Sequence, residues 1–142
     1  MDSSIIITGH GEFAEGFKSA LNLLIGEPTN TYFINFNEEF EVYQTKLIDL
    51  VKELSLASDK VIVFTDLAGG SPFNVSCLAS KDCTNVDVIS GSNLPMIIDT
   101  ITNVMYDLGD VTADTILSTG HESLVCFMKT TTKQTVIDED GI

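Results

Sequence analysis

Residues 3–17, S-S-I-I-I-T-G-H-G-E-F-A-E-G-F, decide how this chain folds. Three isoleucines at residues 5–7 form a continuous apolar run that is too short for a helix. Such a run indicates a strand covered on both faces, as in a parallel sheet. Phe13 and Phe17 then follow at helical spacing. The stretch therefore predicts a buried strand that leads directly into a helix, with a histidine at the joint.

That histidine, His10, lies between Gly9 and Gly11. Because neither neighbour carries a side chain, a large group can approach the imidazole and the amides that open the helix. A phosphate would suit this position, and Gly11 is therefore a candidate phosphate-binding residue. Taken alone, the Gly-His-Gly pattern is explained equally well by a tight connection between a strand and a helix.

Short apolar strands and amphipathic helices alternate along the rest of the chain. Further strands are predicted at residues 31–36, 61–64 and 86–89, and helices at residues 40–54, 71–80 and 94–107. Such alternation implies right-handed crossovers and a parallel sheet with helices on both faces. We expect a doubly wound α/β fold, with a mainly parallel four-stranded sheet in the order 2-1-3-4.

Several boundaries can be predicted from individual residues. Asn37 is expected to cap the second helix, and Ser71 followed by Pro72 is expected to supply the cap and first position of the third. A fifth helix is predicted over residues 112–126, interrupted at a glycine. The threonine-rich tail, residues 127–137, is predicted to add a strand. Periodicity leaves open whether this strand pairs with the sheet of its own subunit or with that of a second subunit.

Size and charge limit the classes of function. With 142 residues and 44% apolar composition, residues 1–142 are expected to form one domain with a real core. The formal charge of −14 argues against nucleic acid and anionic membranes as partners, and it is compatible with a basic protein partner. All seven basic residues are lysines, so an anionic ligand cannot be gripped by an arginine fork.

Neither a membrane-spanning stretch nor a secretory leader is evident, so we expect a cytoplasmic protein without direct membrane insertion. The three cysteines have no C-x-x-C spacing and no histidine companions. This argues against a disulfide framework or a zinc site and favours free thiols. We predict no metal site and no cofactor.

The chemistry is expected at the carboxyl ends of the strands, where open parallel sheets bind ligands. In the order 2-1-3-4, the loops after the first and third strands are neighbours, which places His10 beside Asp66. A carboxylate that accepts one ring N–H fixes the tautomer and leaves the other nitrogen as a nucleophile. His10 and Asp66 are therefore the predicted catalytic pair. If His10 were absent, a role in a turn or as a helix cap would explain Asp66 better than catalysis does.

Gly69, Gly70 and Ser71 precede a predicted helix and offer a run of free amides that could cradle phosphoryl oxygens. They could equally form only a flexible turn and a cap. We predict that these three residues join Gly11 in binding phosphate. The expected rim of the site consists of Thr65, Ala68 and Asn93.

Three segments resemble a known family: I-T-G-H-G at residues 7–11, T-D-L-A-G-G-S-P-F-N at residues 65–74 and N-L-P-M at residues 93–96. Together they resemble the enzyme IIA component, mannose class, of the phosphoenolpyruvate-dependent sugar phosphotransferase system (PTS). They occur in that family's order and cover the first two thirds of the chain. Ala68 and Ser92 depart from the family pattern, where a larger residue and valine are frequent, but neither touches the predicted chemistry.

The resemblance implies a doubly wound homodimer associated through its C-terminal part. It implies that His10 accepts a phosphoryl group from the phosphocarrier HPr and hands it to a IIB component for sugar uptake and phosphorylation. Asp66 would be the hydrogen-bond partner of His10, and the turn at residues 69–71 would surround the phosphate. No IIB-like segment follows, so a free-standing IIA protein is expected.

Other functions use the same residues. A regulatory module whose phosphorylation is sensed by a partner, or a carrier that feeds a PTS-dependent dihydroxyacetone kinase, remains open. A histidine phosphatase is disfavoured because Gly9 stands where an arginine is needed, and a flavodoxin is disfavoured because tryptophan is absent. His121, in a second T-G-H-E motif, is predicted to be an ordinary surface or capping residue. The sequence does not reveal which sugar is transported.

Overall fold

The computed structural model describes residues 2–128. In chain order these residues form β1 (Ser3–His10), α1 (Phe13–Leu24), β2 (Thr31–Phe36), α2 (Phe40–Ala57), β3 (Lys60–Phe64), α3 (Ser71–Ser80), β4 (Val86–Ile89), α4 (Leu94–Tyr106) and α5 (Ala113–Glu122). None of the described helices is both long enough and apolar enough to cross a membrane.

The four strands form one parallel sheet in the order β2-β1-β3-β4, which confirms the predicted order. β1 lies in the centre, paired with β2 up to His10 opposite Phe36 and with β3 up to Ile7 opposite Phe64. Since all four strands run the same way, their carboxyl ends meet at one edge. The loops after β1 and β3 are therefore neighbours at this edge.

Helices cover both faces of the sheet, as the alternation of elements predicts. The isoleucines of β1 alternate between the two faces, as side chains of a strand must. Ile5 and Ile7 belong to a core formed with α1, α4 and α5. Ile6 belongs to a second core formed with α2 and α3. His10 shares the parity of Ile6, which places it on the side of α2 and α3.

Two predicted helix starts are wrong in detail. α2 begins at Phe40 with Glu39 at its N-cap position, so Asn37 does not cap it. Glu39 has an extended backbone, which leaves Asn37 two residues too far from the first-turn amides. α3 begins at Ser71 itself, and Gly70, with extended φ and ψ of −76° and 165°, occupies the N-cap position.

The C-terminal prediction needs a further correction. α5 ends at Glu122, four residues before the predicted end. Gly120 lies inside the helix and does not interrupt it, because it packs against Met96. The helix ends where the Ser123 hydroxyl donates a hydrogen bond to the Gly120 carbonyl at 2.7 Å. Most of the predicted tail strand, residues 129–137, lies outside the described residues.

Two leucines of α1 provide a direct test of this packing. Leu21 is fully buried, whereas Leu23 is 88% exposed. Leu21→Ala should lower the free energy of unfolding by about 2–5 kcal/mol, because it removes buried methyl groups and leaves a cavity. Leu23→Ala should change it by less than about 0.5 kcal/mol. Urea denaturation of both variants measures the difference, and equal losses would contradict the assigned face of α1.

Candidate functional site

His10 and Asp66 meet at the carboxyl edge of the sheet, where β1 ends and the loop after β3 begins. Oδ2 of Asp66 accepts hydrogen bonds from the His10 backbone amide at 2.8 Å and from Nδ1 of the same residue at 2.6 Å. Oδ1 accepts a hydrogen bond from the Leu67 amide at 2.9 Å. Both carboxylate oxygens are thus fixed, and the structure brings the predicted pair into direct contact.

The charge of Asp66 determines the protonation of the imidazole. Burial opposes ionisation of Asp66, but hydrogen bonds from the His10 amide, the His10 ring and the Leu67 amide outweigh it. The net effect lowers the pKa of Asp66 below its ordinary value of 3.8. Because an ionised carboxylate can only accept hydrogen bonds, Nδ1 of His10 must carry the proton. In the neutral ring, Nε2 then presents a lone pair.

Gly70 fixes a second position of the ring. A Cβ atom on Gly70 would lie only 2.8 Å from Cε1 of His10. The imidazole therefore packs against the backbone at the start of α3, at a distance that only glycine permits. This explains a glycine at Gly70, where the backbone conformation itself would allow other residues.

Phe36 lies beside the imidazole. It is the β2 residue paired with His10, and the two ring centroids are 5.8 Å apart with the planes tilted by 48°. The His10 side chain is nevertheless 46% exposed. Within the part of the chain that the structure describes, no hydrogen bond reaches Nε2. The ring is thus held at Nδ1, at Cε1 and at one side, while the nucleophilic nitrogen stays accessible.

The first turn of α3 supplies amides beside the imidazole. The first N–H groups of a helix have no partner within the helix, and they carry the positive end of its dipole. Pro72 has no N–H, so the first-turn amides are those of Ser71 and Phe73. Gly69 has a φ of +84°, and space is open where its Cβ would be. The sequence predicts free amides at residues 69–71, but the Gly70 N–H donates a hydrogen bond to the Leu67 carbonyl at 3.3 Å, so that amide is already used.

Gly11 contributes open space. Its N–H donates a hydrogen bond to the Phe36 carbonyl at 2.8 Å, so this amide is already used. Its φ of +58° favours glycine, and no atom lies within 4 Å of the position of a Cβ. A side chain here would stand directly beside His10. The absence of one keeps the approach to the ring clear.

The three predicted rim residues have different surroundings. Ala68 is exposed in the loop after β3. Thr65 is fully buried, and its hydroxyl donates to the Ile89 carbonyl at 2.8 Å, so it joins β3 to β4 and does not line the rim. Asn93 caps α4 by accepting from the Met96 amide and donates to the Gly120 carbonyl, so its amide group is engaged within the fold.

His121 lies in the last turn of α5 and is exposed. It borders a cavity of about 300 Å³, together with Asn93, Leu117 and Leu124. Among the described residues, no carboxylate accepts a hydrogen bond from its ring. It thus lacks the arrangement that would activate a histidine. Over residues 2–128 no group of three or more His, Cys, Asp or Glu side chains could hold a metal ion.

Sequence reasoning missed the residues that lie behind the imidazole. Phe36 was predicted within a strand, but its partner in β1 depends on the register between the two strands. Tyr43 lies in the helix predicted at residues 40–54, but the sequence does not show that its hydroxyl hydrogen-bonds to Thr8 Oγ1 at 2.7 Å. Only the three-dimensional arrangement places these three residues next to the site.

Comparison with known proteins identifies the family. Residues 4–116 match the EIIA-man family, described as the PTS system fructose IIA component. The chain belongs to this family. Its members are IIA components of the PTS, so the chain is a phosphotransferase-system protein with a role in phosphoryl transfer.

Individual relatives agree with this assignment. The sorbose-specific EIIA component of Lacticaseibacillus casei is 31% identical over 101 residues, covering 70% of this chain and 72% of the relative. The fructose-specific EIIA component of Bacillus subtilis is 27% identical over 100 residues, covering 69% and 68%. The PTS IIA protein associated with the fucose utilization operon of Streptococcus pneumoniae superposes with a TM-score of 0.78 and 27% identity, covering 91% and 96%.

Gly70→Ala should displace the imidazole, because the added methyl group meets Cε1 of His10. We expect the hydrogen-bonded Nδ1 proton of His10 to give an NMR signal in the wild type that is lost in this variant. Gly16→Ala is the matched control, since it adds the same methyl group where no atom lies within 4 Å. A Gly70→Ala protein that keeps the signal unchanged would contradict the described packing.

Acid stability should depend on Asp66. Its pKa is lower in the folded protein than in the unfolded chain, so the unfolded chain binds the proton first as the pH falls. This contribution to stability is complete above the ordinary pKa and is lost as the pH falls through the lowered one. From about pH 4 downward, the unfolding free energy of Asp66→Asn should therefore fall less steeply than that of the wild type.

Urea denaturation at a series of pH values measures how steeply the unfolding free energy changes with pH in the wild type and in Asp66→Asn. Glu53→Gln, at an exposed position of α2, is the control and should keep the wild-type slope. Parallel curves for the wild type and Asp66→Asn would contradict the lowered pKa.

Proposed function

We propose that this protein is a cytoplasmic phosphocarrier. It accepts a phosphoryl group from phosphorylated HPr on Nε2 of His10 and passes this group to a IIB component. The observation that carries the proposal is the 2.6 Å hydrogen bond between Nδ1 of His10 and Oδ2 of Asp66, combined with an accessible Nε2. This arrangement provides a nucleophile in the tautomer that leaves Nε2 with its lone pair.

In the first transfer, the Nε2 lone pair attacks phosphorus on the donor. The new P–Nε2 bond forms in line as the P–N bond to the donor histidine breaks, and the electron pair of that bond stays on the donor ring. Nδ1 keeps its proton throughout. In the second transfer, a nucleophile of the IIB component attacks the same phosphorus, the P–Nε2 bond breaks and its electron pair returns to Nε2, so neither step requires a cofactor or a change in oxidation state.

Electrostatics assists both transfers. When Nε2 gains the phosphoryl group while Nδ1 keeps its proton, the ring becomes cationic, and the adjacent Asp66 carboxylate stabilises that charge. We assign the phosphoryl oxygens to the first-turn amides of α3, because this helix begins beside the imidazole. No arginine exists in the chain to bind the group more strongly. Moderate binding of the phosphoryl group suits a carrier, because a strongly stabilised phosphohistidine would transfer that group slowly to the next protein.

The surface around the site suits a protein partner. Leu67 and Phe40 are large apolar side chains that are 56% and 40% exposed, close in sequence to Asp66 and Phe36. Glu12 and Glu39 are exposed on the neighbouring loops, whereas the Glu38 carboxylate is already paired with the Lys46 ammonium at 2.8 Å. Apolar contacts surrounded by acidic residues complement a partner with an apolar centre and a basic rim.

The relatives do not define the sugar. Their names refer to sorbose, to fructose and to a fucose operon, although they share this fold. A IIA component that handles only the phosphoryl group has no need to contact the sugar. We therefore propose that the IIB component and the membrane components select the substrate.

Separate replacement of the two histidines tests the proposal. Each variant is incubated with HPr that carries a radiolabelled phosphoryl group, and label on the protein is measured after separation. His10→Ala should lose all transferred label because it lacks the nucleophile, and His121→Ala should keep the wild-type amount. Asp66→Asn should accept label at least roughly tenfold more slowly, because the tautomer is no longer enforced.

The reciprocal result, with label lost in His121→Ala and kept in His10→Ala, would overturn the assignment. Adding a IIB component from the same system then tests the second transfer. Label should leave the wild-type protein only when IIB is present. Label that stays on the protein would favour a regulatory module over a carrier.

A further inference from the structure

A pair of buried hydroxyl groups lies behind the site and takes no part in the transfer described above. Thr8 and Tyr43 are both fully buried, and their hydroxyl oxygens are 2.7 Å apart. Burying two hydroxyls costs free energy unless they bond to each other, so the pair is fixed in place once formed.

The Tyr43 ring supports Phe36. The two rings stack with centroids 4.5 Å apart and an angle of 27° between the planes. The backbone of Phe36 is held separately, by its pairing with His10 and by the bond from the Gly11 amide to its carbonyl. Backbone and ring of Phe36 are therefore both fixed, and Phe36 is the residue beside the imidazole.

A hydrogen bond at Nδ1 does not by itself fix the plane of an imidazole. The second side-chain torsion of histidine has broad minima, so the ring can tilt while the bond to Asp66 persists. Gly70 contacts Cε1, and Phe36 contacts the ring from β2 at 5.8 Å between centroids. These two contacts limit the tilt and so determine where the Nε2 lone pair points.

We propose that Phe36 is a positioning residue for His10, and that Tyr43, through its bond with Thr8, keeps Phe36 in place. The inference rests on the proposed function, because aiming Nε2 matters only if Nε2 accepts a group. Transfer in line is sensitive to direction, so a tilted ring reacts more slowly even when its chemistry is unchanged.

The Tyr43 hydroxyl remains neutral in this role. Burial raises the pKa of Tyr43 to about 12, with the Thr8 bond opposing the rise and the nearby charge of Asp66 adding to it. The hydroxyl therefore stays protonated at any working pH. It serves as a structural donor or acceptor and does not exchange protons with the site.

Phe36→Leu removes the ring and tests the proposal. Phe33→Leu is the matched control, because Phe33 lies on the same strand and packs against the opposite core. Phe36→Tyr keeps an aromatic ring and should restore the wild-type behaviour. Phe36→Met also removes the ring while keeping more apolar volume, and it replaces the leucine variant if that protein does not fold.

Two measurements are made on each variant. NOEs between the Cε1 proton of His10 and the α protons of Gly70, measured in the unphosphorylated protein, report the orientation of the ring, because Cε1 packs against the Gly70 backbone. Single-turnover transfer from phosphorylated HPr reports the maximal rate and the donor concentration at half-maximal rate. Phe36→Leu should weaken these NOEs and slow the maximal rate roughly ten- to a hundredfold, with little change in the half-maximal concentration.

Tyr43→Phe tests the support behind Phe36, because it keeps the stacked ring and removes only the bond to Thr8. It should change both measurements in the same direction as Phe36→Leu, by a smaller factor. Wild-type values in Tyr43→Phe would overturn the role of the Tyr43–Thr8 bond.

Phe36→Leu values equal to those of Phe33→Leu would overturn the role of Phe36. A wild-type protein that accepts no phosphoryl group would instead refute the proposed function. In that case the NOEs between His10 and Gly70 still decide whether Phe36 positions the His10 ring.

Discussion

The site depends on one hydrogen bond, between Nδ1 of His10 at the end of β1 and the carboxylate of Asp66 in the loop after β3, two residues 56 positions apart in sequence. The sheet makes this bond possible, because the order β2-β1-β3-β4 places β1 beside β3 and brings their carboxyl ends together. The bond then decides the chemistry. An ionised Asp66 requires a proton on Nδ1, and that proton leaves Nε2 as the free lone pair.

Holding a nucleophile and leaving it open are opposing requirements. The structure meets them by restraining the imidazole at atoms other than Nε2: Asp66 at Nδ1, the Gly70 backbone at Cε1 and Phe36 at one side. Glycine is needed at Gly70 because the ring packs against its backbone. It is favoured at Gly11 because the chain turns there with a positive φ. Both positions are glycines beside His10, but the first is required by close packing and the second by backbone conformation.

Much of this could be predicted from the sequence, because local patterns determine it. Apolar runs located β1, β3 and β4, and the order of the strands placed His10 next to Asp66. Features that depend on register or on long-range packing could not be predicted. These include the pairing of Phe36 with His10, the Thr8–Tyr43 bond and the burial of Thr65. Predicted helix boundaries were wrong where the backbone before the helix was extended, as at Glu39, or where a neighbouring helix accommodated a glycine, as at Gly120.

The central claim is that Nε2 of His10 is the atom that accepts phosphorus. Nitrogen and phosphorus NMR of the phosphorylated protein, labelled with ¹⁵N at histidine, tests it most directly. The account predicts a phosphorus–nitrogen coupling to Nε2 of His10, with Nδ1 still protonated. Coupling to Nδ1, or to a nitrogen of His121, would contradict it, because the bond to Asp66 would then have to break before transfer or play no part in it.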